Sequence, residues 1–224
     1  MPTFMIKLNA TKYLAIVIAH ASKFPSEKEL LKLLSDYDTA LKNGDFDLSL
    51  KIEKKAKSLL LNPAFKKLES ENPQLASNLY HIAGNYHFFQ ARTKSLNQSP
   101  DRKFLFENFR AAMNSYKKAV SLSKNNYRSA YMLGKSSVSL ACGGSQFNTK
   151  PISKEIIANL ETAIKLLEEN REEIIRLFTK APFELQFDID ATLNGHPAEE
   201  KFQLELNKIK EQLEKIKQMF REEL

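Results

Sequence analysis

GDFDLSLKIEKKAKSLLLNP, residues 44–63, is the stretch that decides the fold. Gly44 accepts the left-handed backbone on which helices often end, so Asn43-Gly44 closes whatever precedes it. A helix then runs from about Asp45 to Leu61, and Asn62-Pro63 stops it. Before it, Ser26 and Glu29 stand in capping-box spacing, and Leu30, Leu31, Leu33, Leu34, Tyr37 and Leu41 supply an apolar stripe. The two segments read as a helical hairpin. Such a hairpin cannot bury its apolar face alone; it stacks on neighbours and leaves a groove that can hold another protein.

The pattern continues outward in both directions. Residues 4–22 predict a first helix, apolar on more than one side and so packed beneath others. Ala64–Asn72 is short and charged, and Pro73 suits the first turn of a long helix over about 73–94. After the polar loop 95–101, Asp101 is placed to cap a helix over about 102–123. Asn125-Asn126 breaks it, a helix over about 127–141 ends near Cys142-Gly143-Gly144, and Ser153 is read as the cap of a helix over about 154–179. In 181–197, Phe183, Leu185, Phe187 and Ile189 alternate with polar residues, which predicts an extended segment across the helices. In the last helix, over 198–224, Phe202, Leu206, Ile209, Leu213, Ile216 and Phe220 recur at spacings of 4, 3, 4, 3, 4. That seam serves either to cap the end of a stack or to pair with a second copy as a coiled coil.

These hairpins resemble tetratricopeptide repeats, whose units of about 34 residues place small and large side chains at fixed helix positions. Gly44-Asp45-Phe46 matches the repeat's turn, Ser49 and Ala56 its two small positions, and Pro63 its closing proline. Glu53 departs where the family has an aromatic residue, and Tyr37 departs where it has a small one. Leu79, Ile82, Ala83 and Tyr86 match a second first helix, with Ala112, Tyr116 and Ala119 on its partner; Leu133-Gly134 and Ala163 echo a third pair. Residues are inserted between the members of both later pairs, over 95–101 and 143–152. The resemblance covers roughly 30–167, and three divergent hairpins are expected over 26–179. It implies an all-α, TPR-like superhelix of helical hairpins with a concave peptide-binding face, a single domain over 1–224 with a C-terminal capping helix.

Composition agrees with a folded, ordinary domain: 42 % apolar and 27 % charged residues exclude general disorder. One cysteine, Cys142, excludes an intrachain disulfide framework and fits a reducing, cytoplasmic setting. The run Tyr13–Ala19 is apolar but short and follows only Lys7 and Lys12, so a cleaved N-terminal signal is the minor alternative. No stretch reaches the roughly 18 apolar residues of a membrane span. Charge is uneven. Residues 1–150 carry 23 Lys and Arg against 11 Asp and Glu, and residues 151–224 carry 11 against 16. Either a basic middle surface over 92–135 faces an acidic partner, or the acidic C-terminal part folds against it.

Specific chemistry is sparse. His81 and His87 lie six apart, about 240° around a helix, where a zinc pair needs one face and a third ligand. Cys142 sits at a helix end, the wrong terminus for a stabilised thiolate. Asp188–Gly195 lacks the glycine of a calcium loop at its sixth position, where Leu193 stands. No cofactor or metal is expected, and no catalytic set is visible. The expected work is non-catalytic: an adaptor or scaffold, a chaperone, or a complex subunit. It would hold another protein's acidic or helical segment in the groove, through Tyr80, Asn85, Tyr86, Arg110, Asn114, Lys117, Arg128 and Lys135. The alternative is a nucleic-acid binder, since Arg102, Lys103, Arg110, Lys117 and Lys118 alternate with Phe104, Phe106, Phe109 and Tyr116.

Overall fold

A computed structural model describes residues 24–95, 101–143, 150–180 and 197–221. The expected helix over 4–22, the extended segment over 181–197 (Pro197 excepted) and the interiors of both inserts lie outside these residues. Every described element is an α-helix: α1 Glu27–Lys42, α2 Phe46–Leu60, α3 Phe65–Glu71, α4 Pro73–Ser95, α5 Arg102–Leu122, α6 Tyr127–Gly143, α7 Lys150–Glu169, α8 Arg171–Lys180 and α9 Ala198–Arg221.

Local chemistry sets most of the boundaries. Ser26 Oγ accepts from the Glu29 amide while Glu29 Oε2 accepts from the Ser26 amide at 2.7 Å, which closes the capping box of α1. Gly44 takes φ +67°, and the Asp45 amide returns to the Ala40 carbonyl at 2.8 Å. Asp45, Asn72, Asp101 and Asn126 each accept from a backbone amide three residues on, at 3.0–3.1 Å, and so start α2, α4, α5 and α6.

Three boundaries differ from the sequence reading. The stretch after Pro63 is itself a helix, α3, which buries Phe65 edge-on against Tyr80 with ring centroids 5.3 Å apart. Helix α7 begins at Lys150, so Ser153 lies inside it, fully buried and without a hydrogen-bond partner, rather than capping it. The helix expected over 154–179 is two, separated at Asn170, whose side-chain amide donates to the Leu166 carbonyl at 2.7 Å.

Packing is sequential. Helix α4 packs on α2, α3 and α5, then α5 on α6, α6 on α7, and α9 on both α7 and α8. Helices α1, α4, α6 and α9 also touch in that order. Two apolar cores result, both fed by α4: Leu75–Ala83 join α1, α2 and α3, while Phe88 and Ala91 join α5 to α9. All six seam residues of α9 are at most 6 % exposed. The seam is buried against the chain's own helices α6, α7 and α8.

Candidate functional site

A chain of buried polar groups links α1, α2, α4, α5 and α6. Tyr37 Oη donates to Glu53 Oε1 at 2.9 Å and accepts from Asn85 Nδ2 at 2.9 Å. Tyr116 Oη donates to Asn85 Oδ1 at 2.7 Å. Asn85 Nδ2 also faces His81 Nε2 at 3.4 Å, and His81 Nδ1 lies 3.0 Å from Ser129 Oγ. An amide nitrogen only donates, so Nε2 accepts and the ring proton sits on Nδ1, directed at Ser129. Burial, helped by the nearby Arg128 charge, pushes the His81 pKa down to about 3. Ser129 is fully buried. This Ser–His contact therefore holds a neutral ring against a hydroxyl no substrate reaches, and it does not make a nucleophile and base.

Above this chain two clefts open one after the other along α4 and α6. The first, of about 290 Å³, is lined by Leu34, Tyr37 and Asp38 of α1, Gln74, Asn78, His81 and Ile82 of α4, and residues 125–128. The second, of about 550 Å³, is lined by Phe88, Arg92 and Ser95 of α4, Phe109 of α5, Lys135, Val138, Ser139 and Cys142 of α6, and Glu205, Lys208, Ile209 and Gln212 of α9. The first uses the N-terminal halves of α4 and α6 and the second their C-terminal halves. The two helices thus run in the same direction, with one cleft beside α1 and the other beside α9.

The eight residues expected to contact a partner do not form one surface. Arg128 and Lys135 line the clefts. Asn85 is only 4 % exposed and its amide is taken up by Tyr37, Tyr116 and His81, so it shapes the interior rather than a contact face. Tyr80 donates to Glu69 at 2.6 Å; burial and that carboxylate push its pKa up. Lys57 lies 4.7 Å from the Tyr86 ring centre. Both tyrosines thus meet side chains of α2 and α3, away from the clefts. Arg110, Asn114 and Lys117 are exposed on α5, with Arg110 over Phe106 and Lys117 paired to Glu155 at 2.8 Å. The sequence reading missed Asn78, Asn125 and Lys208, which line the clefts but belong to no motif.

The basic middle is partly neutralised from within. Lys118 pairs with Glu69 at 3.8 Å, Arg128 with Asp38 at 3.4 Å and Lys135 with Glu205 at 3.8 Å. Lys117–Glu155 and Lys135–Glu205 bring the acidic C-terminal part onto the basic middle, the second of the two arrangements the charge pattern allowed.

His81 and His87 turn to different partners, Ser129 and Asn108, the latter at 3.0 Å. Among the described residues no three His, Cys, Asp or Glu side chains gather closely enough to hold a metal ion, and no helix is long and apolar enough to cross a membrane. No protein-family model, curated protein or solved structure matches the chain.

Proposed function

We propose that this protein is a non-catalytic interaction module, an adaptor, chaperone or complex-assembly subunit built of tetratricopeptide-like hairpins, and that it holds a segment of another protein in the trough between α4 and α6. The observation that carries this reading is the succession of the two clefts along those helices, beside a buried, hydrogen-bonded polar chain. A preformed trough on rigid helices limits the ordering that binding requires. The repeat-like reading draws support from the small residues. Gly134 faces Ala163, and a methyl group on it would meet the alanine Cβ at 3.5 Å, an ordinary van der Waals distance. Ser49 and Ala56 are buried where a close helix approach needs them.

Nucleic acid is the weaker alternative. Lys117, Lys118, Arg128 and Lys135 each have a carboxylate within 4.0 Å, which a phosphate would have to displace. Affinity capture with mass spectrometry, with and without nuclease, tests the reading against an Asn78→Ala/Arg128→Gln variant that folds normally by circular dichroism. Protein partners that survive nuclease and are lost with the variant are the expected result. Complete loss on nuclease treatment overturns it.

A further inference from the structure

We propose that the outer face of α2, with the turn that follows it, docks on an anionic lipid bilayer. Lys51, Lys54 and Lys55 meet the headgroups and Leu61 enters the acyl boundary. Neither cleft draws a residue from α2, so the test of this surface and the capture experiment fail independently.

Helix α2 sorts its residues by face. Ser49, Ile52, Glu53 and Ala56 are buried, whereas Leu48, Lys51, Lys54, Lys55 and Ser58 are exposed. The exposed set follows spacings of three and four, Leu48–Lys51–Lys55 and Lys51–Lys54–Ser58, and so forms one continuous side of the helix. Leu61, at the C-cap in helical backbone, extends the second row by three residues. It is 80 % exposed, the highest value among the large apolar side chains of the described residues, and Leu48 is 40 % exposed. Pro63 and Ala64 are exposed in the same turn. Lone surface leucines are ordinary. An apolar turn at the end of a lysine row is a patterned surface.

The charge of this row is not neutralised from within. Among the described residues no ion pair, side-chain hydrogen bond or ring contact holds Lys51, Lys54 or Lys55. Lys117, Lys118, Arg128 and Lys135, in contrast, all have carboxylate partners. Lys57, the fourth lysine of α2, turns aside to the Tyr86 ring, 4.7 Å from its centre. Of the two acids of α2, Glu53 is buried against Tyr37, and Asp47 stands in the first turn, where the helix start favours it.

Lysine and leucine on one face select the occupant. The phosphates of a nucleic acid would meet the lysines but offer nothing to Leu48 or Leu61. A bilayer interface takes both, because ammonium groups stay among the headgroups while a leucine side chain enters the acyl boundary. A partner of this face also meets the side of a helix and not a hollow, as a bilayer surface does. Each lysine near an anionic surface strengthens binding about fivefold.

The full chain is sedimented with vesicles of phosphatidylcholine alone and of phosphatidylcholine mixed with phosphatidylserine. Binding is expected with the mixed vesicles only, weakening as salt rises. Lys51→Gln/Lys54→Gln/Lys55→Gln should lower the affinity about a hundredfold, and Leu61→Ser about tenfold. All four side chains are exposed, so both variants should match the parent by circular dichroism. Because the chain carries a net charge of +7, a control removes three charges elsewhere, Lys103→Gln/Lys124→Gln/Lys154→Gln, all exposed.

Failure to bind the mixed vesicles overturns the proposal, and so does equal binding to phosphatidylcholine alone. An equal loss in the control variant would mean attraction by overall charge and also overturns it. An RNA oligonucleotide or an acidic peptide that binds this face more tightly than the vesicles, with Leu61→Ser indifferent, makes the occupant nucleic acid or protein and likewise overturns it.

Discussion

The Tyr37 hydroxyl donates to the Glu53 carboxylate at 2.9 Å across the α1–α2 hairpin, and the two side chains are only 2 % and 4 % exposed. These are the two positions at which the hairpin departs from the tetratricopeptide pattern, one large where a small residue is usual and one charged where an aromatic is usual. The departures satisfy each other: a buried carboxylate needs a donor, and Tyr37 supplies one while also accepting from Asn85. Tyr37→Phe leaves both neighbours short of a partner and should cost about 3 kcal/mol. Replacing Glu53 by Leu in the same chain should recover part of that loss, a coupling of about 1–3 kcal/mol in a double-mutant cycle followed by urea unfolding. Strictly additive costs would show that the bond contributes nothing specific.

Two glycines that look alike in sequence should respond differently to alanine. A Cβ on Gly84 would lie 2.6 Å from Cε1 of Tyr116, a fully buried ring held by its bond to Asn85. The ring has nowhere to go, so Gly84→Ala should destabilise by about 2–3 kcal/mol despite alanine's better helix propensity. On Gly134 the nearest atom is the Ile209 Cδ1 methyl at 3.3 Å, the end of a side chain that can give slightly. There the propensity gain of about 1 kcal/mol offsets the crowding, and thermal unfolding should leave Gly134→Ala close to the parent.

Sequence order carries local chemistry well and register poorly, and this divides what was legible from what was not. The Ser26–Glu29 box, the turn at Gly44 and the Asp101 cap act over three or four residues, so spacing alone reveals them. The apolar seam of α9 was legible as a stripe, whereas what covers it depends on where α6, α7 and α8 end. The short helix α3 escaped because seven residues offer too few turns for a period to show. Three of the four links in the polar chain from Glu53 to Ser129 join side chains 16 to 48 residues apart, and no spacing encodes such contacts. The contact set mixed Asn85, an inward residue, with Arg128 and Lys135, which line the two clefts, for the same reason. Helix periodicity says which side chains share a face, not which face meets solvent.

Because the α9 seam is internal, weakening it should unfold the C-terminal end of the stack and not separate two chains. Leu213 is 6 % exposed within the second core. Leu213→Ala should lower stability by about 2–5 kcal/mol in urea, the range for a buried leucine truncation. The mass measured by light scattering should match that of the parent at every concentration. A halved mass in the variant would return the seam to a coiled-coil role.

Stability should fall with pH before the carboxylates titrate, and His81 sets the direction. In the unfolded chain its imidazole takes a proton near pH 6.5, but in the fold burial holds its pKa down to about 3. Between these values the unfolded state carries the extra proton, so stability drops as pH falls below about 6.5, by up to about 1.4 kcal/mol per pH unit. Above that pH this group contributes no slope. Partly buried His87 acts in the same direction, its pKa lowered chiefly by burial and opposed by its bond to Asn108, so the measurement belongs in a His87→Gln background. Urea midpoints from pH 7.5 to 5 should decline in that background, and adding His81→Gln should flatten the curve. An unchanged slope after both substitutions would place the proton uptake elsewhere and remove the neutral ring from the centre of the polar chain.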